Sequence, residues 1–140
     1  MQVLKRWLPV VLWSAVILST SNDYFSATHT QSWLHTPEAI NIALRKLAHL
    51  TGYGILGALA WSAATPVAAL TREARAATGV AALQTYFVVI LVASIDEWHQ
   101  SLFPSRGASP WDVLLDVVGA TIAIGIMIRV QQLRSRRRTP

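Results

Sequence analysis

Residues 80–100 read VAALQTYFVVILVASIDEWHQ, and the way this stretch ends decides how the chain is read. From Val80 to Ile95 it is apolar almost without a break, with Gln84 as the strongly polar interior side chain. A run of that length and character reads as a helix in lipid. It closes on Asp96, Glu97, His99 and Gln100. Two carboxylates at the C-terminal end of a helix meet the negative end of its macrodipole, so local helix energetics opposes them. They need a partner or a task.

The whole chain carries the same signature. Its 140 residues are 53% apolar and 14% charged, with a mean hydropathy of +0.40, too apolar for an ordinary soluble domain and the length of a single one. It has no cysteine, which removes disulfides and thiolate metal sites. The net charge is +5, but the placement of the twelve Lys and Arg beside apolar segments points to a membrane partner and not to nucleic acid. No nucleotide-binding loop, zinc signature or G-x-S-x-G elbow occurs.

Lys5 and Arg6 precede an apolar run from Trp7 to Thr20. A cleaved signal peptide, with small residues at Ser19 and Ser21, competes for this segment. Val3, Leu4, Tyr24 and Phe25 lengthen it with interface-suited side chains and favour a first transmembrane helix. Ser21 to Thr36 reads as a loop. Thr36-Pro37 then suits a helix start, with Thr as N-cap and Pro in the first helical position. The second segment runs from Glu38 to Ala64 and Pro66 ends it. After the connection Thr65 to Ala76 comes the third segment, to Ile95, then a loop from Trp98 to Ser109. Ser109-Pro110-Trp111-Asp112 has the pattern of a capping box with Pro at the first position and opens a fourth helix to about Ile128. The basic tail, Arg129 to Pro140, has no apolar periodicity and is expected to be disordered at the membrane surface. The expected fold is all-α: an integral membrane four-helix bundle over residues 1–128 and a cytoplasmic tail over 129–140.

Four spans put both termini on one side. Lys5, Arg6, Arg72, Arg75 and the five tail arginines fall on that side, and Arg45, Lys46 and Arg106 on the other. The excess of basic residues assigns the termini to the cytoplasm of a multi-pass membrane protein. Arg45 and Lys46 then start helix two while Asp96 and Glu97 end helix three, each pair at the wrong end for its own dipole and both at the same membrane face. A lone charge at the bilayer centre costs about 2.5–3.5 kcal/mol on the insertion scale. Meeting in the bundle, the two pairs would offset each other.

Spacing supports convergence. Arg45, His49 and Tyr53 lie four apart and share one helical face, as do Asp112 and Asp116. Gly52, Gly54 and Gly57 on helix two and Gly119 and Gly125 on helix four allow close backbone approach. The combined pattern is Arg45-Lys46-x-x-His49-x-x-x-Tyr53, Asp96-Glu97-x-x-Gln100-x-x-Phe103, Pro104, Arg106, and Asp112-x-x-x-Asp116-x-x-Gly119. It resembles the VanZ-like family of small integral membrane proteins, over helices two to four, roughly Ala43 to Ile124. The resemblance implies a four-helix inner-membrane protein. The family's founding member raises resistance to the glycopeptide antibiotic teicoplanin; an envelope or lipid-linked ligand is the natural class because a site at these helix ends would open at the headgroup layer.

The candidate site gathers at the extracytoplasmic ends of helices two to four. Asp96, Glu97 and His49 are its candidate catalytic groups, since paired carboxylates and an imidazole suit proton transfer. Arg45, Lys46 and Arg106 would engage an anionic group. Tyr53, Gln100, Asp112 and Asp116 would orient it. The carboxylates also suit an oxygen-ligand cation site completed by Asp112 or Asp116. No residue is assigned to a metal, and no cofactor is named. The competing reading is a non-catalytic membrane scaffold whose buried ion-pair network is structural.

Overall fold

The computed structural model describes residues 2–22, 37–65, 74–104 and 109–136. Among these residues there are four helices and no strand: α1 (Gln2–Thr20), α2 (Glu38–Ala64), α3 (Ala74–Ser101) and α4 (Pro110–Arg136). Besides the start of α3 at Ala74, inside the expected connection Thr65 to Ala76, three boundaries differ from the expected ones. Pro37 is the N-cap of α2 and not its first residue. Its ψ of 144° is extended, and its carbonyl accepts the N–H groups of Ile40 (3.0 Å) and Asn41 (3.1 Å).

The second difference lies in α3, which does not stop where its apolar run stops. Ala81, Thr85, Val89, Val92, Ala93, Asp96 and Gln100 form one buried stripe at helical spacing, so the polar residues continue the seam that the apolar ones began. Third, α4 continues eight residues beyond Ile128, to Arg136. The extension is Arg-Val-Gln-Gln-Leu-Arg-Ser-Arg, rich in good helix formers. The tail expected to be disordered is therefore helical over its first two turns.

The helices run up-down-up-down. Arg6 near the start of α1 donates to the carbonyls of Ser62 (2.7 Å) and Thr65 at the end of α2, and Trp13 Nε1 donates to Gly52 O (2.8 Å), so these two helices are antiparallel. The Arg6 bonds also satisfy carbonyls that a helix C-terminus leaves open. Thr65 is extended at ψ 119°, as expected of a residue preceding proline. Lys46–Asp112, His49–Asp116 and Leu50–Gly119 contacts show that α2 and α4 run parallel.

α2 is the central helix, packing on the other three and most extensively on α4. Small residues set that distance. A Cβ built on Gly57 would lie 2.7 Å from the Ala120 Cβ, and one on Gly119 would lie 2.3 Å from the Leu50 carbonyl oxygen. Backbones approach this closely only where a side chain is missing.

The surface is apolar and part of the interior is polar. Leu83, Phe87 and Trp111 are 74%, 67% and 75% exposed, whereas Asp96, Asp116 and Thr85 are fully buried. This distribution inverts that of a soluble bundle and suits a lipid surround. Gln2–Thr20, Thr78–Ser101 and Pro110–Leu133 are each long and apolar enough to cross a membrane. α2 is not among them, since Arg45, Lys46, His49 and its glycines dilute its hydropathy.

Gly119→Ala is expected to destabilise the fold by about 1–3 kcal/mol, because the contact at Leu50 is backbone and cannot turn aside. Thermal unfolding in detergent, compared with Gly125→Ala, whose Cβ would meet nothing, checks this.

Candidate functional site

The end of the bundle holding Ser21, Gln100 and Ser109 collects the C-termini of α1 and α3 and the N-terminal halves of α2 and α4. Asp96, on the buried stripe of α3, is its centre. Its Oδ2 accepts the Tyr53 hydroxyl at 3.1 Å and its Oδ1 accepts the Ser21 hydroxyl. Donors from α2 and from the residue just after α1 thus converge on one carboxylate. Ser21 Oγ also stands 3.0 Å from Ile17 O, a second acceptor within reach of its single proton at the end of α1.

One turn above Tyr53, His49 Nδ1 lies 3.3 Å from Asp116 Oδ1. The His49 and Tyr53 rings stack with centroids 6.2 Å apart and planes inclined by 20°, which couples the two polar contacts. Asp116 is fully buried, and its Oδ2 has no hydrogen-bond partner among the described residues. Ligand atoms of His49, Asp96 and Asp116 all lie within 4.8 Å of one another.

Farther out, Lys46 Nζ stands 3.5 Å from Asp112 Oδ1, with side chains 58% and 29% exposed. An ion pair this open contributes about 0–1 kcal/mol. It corrects the expected cap role of Asp112. Ser109 Oγ accepts the Trp111 N–H at 3.3 Å, while the Ser109 N–H is taken by Glu97 Oε2 at 2.8 Å. In a capping box the fourth residue's carboxylate would make that return bond. Here a carboxylate from α3 makes it, and Asp112 is free to turn to α2.

The expected meeting of Arg45 and Lys46 with Asp96 and Glu97 is also corrected. Because α2 runs parallel to α4 at close range, its polar face meets the acids of α4, and Asp96 faces Tyr53, two turns further along. Arg45 makes no ion pair among the described residues and lies at the wall of a cavity of about 400 Å³. Trp13, Val16, Ile17 and Leu44 form apolar walls, and Ser21, His49, Tyr53 and Asp96 a polar end. Gln100 is 4% exposed, with its Nε2 unpartnered among the described residues. Arg106 lies outside the described residues, as do His29 and His35.

The sequence predicts α1 as a helix but gives it no part in the site: Ser21 falls in the expected loop, yet it binds Asp96. The available signal was Trp13, an indole N–H inside an apolar run that needs an acceptor. The hydroxyl-rich end Ser19-Thr20-Ser21 was a second one.

A family model described as VanZ/LLP1 matches residues 5–131. The chain belongs to this family. The match takes in α1 and the first residues of the basic tail, so the relationship extends beyond the Ala43 to Ile124 motifs. Comparison with curated proteins and with solved structures finds no match. Family membership and three helices long and apolar enough to cross a membrane together make this a membrane protein.

Glu97→Ala removes the acceptor that holds the start of α4 and is expected to cost about 0.5–2 kcal/mol, the usual range for a lost cap. Glu97→Gln keeps an acceptor and should recover most of it, by thermal unfolding in detergent.

Proposed function

We propose that this VanZ/LLP1 family protein binds an amphiphilic, lipid-linked molecule of the cell envelope in the cavity between α1 and α2. The cavity carries the reading: apolar walls from Trp13, Val16, Ile17 and Leu44 lead to a polar end at Arg45, His49, Tyr53 and Asp96. Such a shape suits a ligand with an apolar chain and an anionic head. Arg45 would engage the head as a fork of donors. Asp96 and His49 face the same space, where any reaction at the head group would occur, and Tyr53 holds Asp96 in place.

In the same proposal all four helices cross the inner membrane, α2 shielded by its neighbours, with both termini cytoplasmic by the excess of basic residues. The site then opens at the outer headgroup layer. The founding member's link to teicoplanin resistance supports an envelope molecule as the ligand class, and a contribution to glycopeptide tolerance is part of this reading.

A second reading is favoured by the two cross-helix pairs, Lys46–Asp112 and His49–Asp116. In it the polar end is a structural ion-pair network and the protein is a non-catalytic scaffold.

Mass spectrometry of lipids and envelope precursors from cells with and without the protein separates the two. The ligand-binding reading expects one species to change in abundance on deletion and Arg45→Ala, though folded, to fail to restore it. Full rescue by Arg45→Ala and by Asp96→Asn would contradict it. Under the scaffold reading, Lys46→Asp combined with Asp112→Lys restores what either single change removes.

A further inference from the structure

We infer that His49, Asp96 and Asp116 form a binding site for one divalent transition-metal ion, of which Zn²⁺ is the best-matched probe. The inference goes beyond the ligand class proposed above and does not depend on what fills the cavity.

Three observations carry it. The first is geometric. One ligand atom from each residue lies within 4.8 Å of the others, and the three come from α2, α3 and α4. The His49 Nδ1 to Asp116 Oδ1 separation is 3.3 Å. That equals the edge of a tetrahedron built on metal bonds of about 2.0–2.1 Å. The separations that involve Asp96 are bounded only by 4.8 Å, so Asp96 has to close on the His49–Asp116 pair to complete the face.

The second observation is an unpartnered atom. Asp116 has no solvent exposure, and its Oδ2 lacks a hydrogen-bond partner among the described residues. A buried acceptor left open is uncommon and calls for an ion or other donor.

The third is charge. Asp96 and Asp116 are both fully buried and close together, in a bundle whose outer surface is apolar. Of the cations within the described residues, Lys46 is committed to Asp112 at the exposed rim, and Arg45 makes no ion pair there. A protonated His49 offsets one carboxylate. A divalent cation offsets both and leaves the cluster neutral.

The surroundings fit such a site. Tyr53 and Ser21 donate to the two oxygens of Asp96, the kind of outer hydrogen bonds that orient a ligating carboxylate. Three protein ligands leave a fourth position open, and His49 and Asp96 also line the cavity. The ligand set is one imidazole and two carboxylates with no thiolate, which suits Zn²⁺ or Mn²⁺ and disfavours the soft Cu⁺. On binding, His49 Nδ1 gives its lone pair to the ion and carries its proton on Nε2, so its hydrogen bond to Asp116 becomes a shared coordination edge.

The test uses the full chain, purified in detergent with a tag free of histidine, treated with chelator, and titrated with Co²⁺ as a coloured stand-in for Zn²⁺. The expected result is saturation at one equivalent per chain, with visible absorption bands that Zn²⁺ abolishes. His49→Gln and Asp116→Asn should each weaken binding at least tenfold, and His99→Gln should leave it within twofold. Circular dichroism checks that each variant is folded. A folded wild-type chain without saturable binding overturns the inference, whatever the variants do. So does binding that folded His49 and Asp116 variants retain, or that His99→Gln removes. Lipid co-purifying with the protein, measured in the same samples, reads the cavity proposal separately: Arg45→Ala lowers it without changing Co²⁺ binding.

Discussion

A fully buried carboxylate in a bundle with an apolar exterior is the constraint on which this structure turns. Asp96 has no solvent exposure, and leaving such a group without donors costs about 1–3 kcal/mol or more for a charge. Its donors come from elsewhere in the chain: Tyr53 from α2 and Ser21 from the end of α1. Meeting that demand fixes how far α1 slides along α2 and which face α3 turns inward. The second constraint is the missing side chain at Gly119, which lets α4 close on the backbone of α2 and places Asp116 beside His49. One contact sets the depth of the site and the other its width.

These two constraints sort the charged residues into layers. Lys46 and Asp112 meet at the exposed rim, where solvent and headgroups weaken the pair. His49 and Asp116 meet inside, and Asp96 with Tyr53 lies deepest. Glu97 points another way and holds the start of α4 through Ser109. Neighbouring carboxylates in one dipeptide therefore do different work, Asp96 in the polar cluster and Glu97 at a helix junction. Arg45 is left facing the cavity, which is why the ligand proposal rests on it and on no other basic residue.

Much of this was legible in the sequence. The apolar run ending at Asp96 gave a helix with a polar terminus, and the i, i+4 spacing gave the shared face of Arg45, His49 and Tyr53. The VanZ-like motif led to the family that the match over residues 5–131 establishes. What escaped was pairing. Charge signs alone sent Arg45 and Lys46 to Asp96 and Glu97, but partner choice depends on which helices run parallel and how close they come. That follows from Gly57 and Gly119 only once the packing is known. Ser21 escaped for another reason: a hydroxyl at the end of an apolar run has several ordinary uses, and its tie to Asp96 spans 75 positions. Glu97 could not be read as a cap because its partner Ser109 already had a local one in Asp112, and Lys46 draws that local carboxylate away.

Asp96 is the interior group around which α1, α2 and α3 assemble. A double-mutant cycle on Tyr53→Phe and Asp96→Asn, read by reversible unfolding in detergent or lipid, tests it most directly. Each single change is expected to destabilise, with the pair coupled by about 0.5–3 kcal/mol, the range for residues in one buried network. Additive effects, with coupling below about 0.3–0.5 kcal/mol, would contradict it.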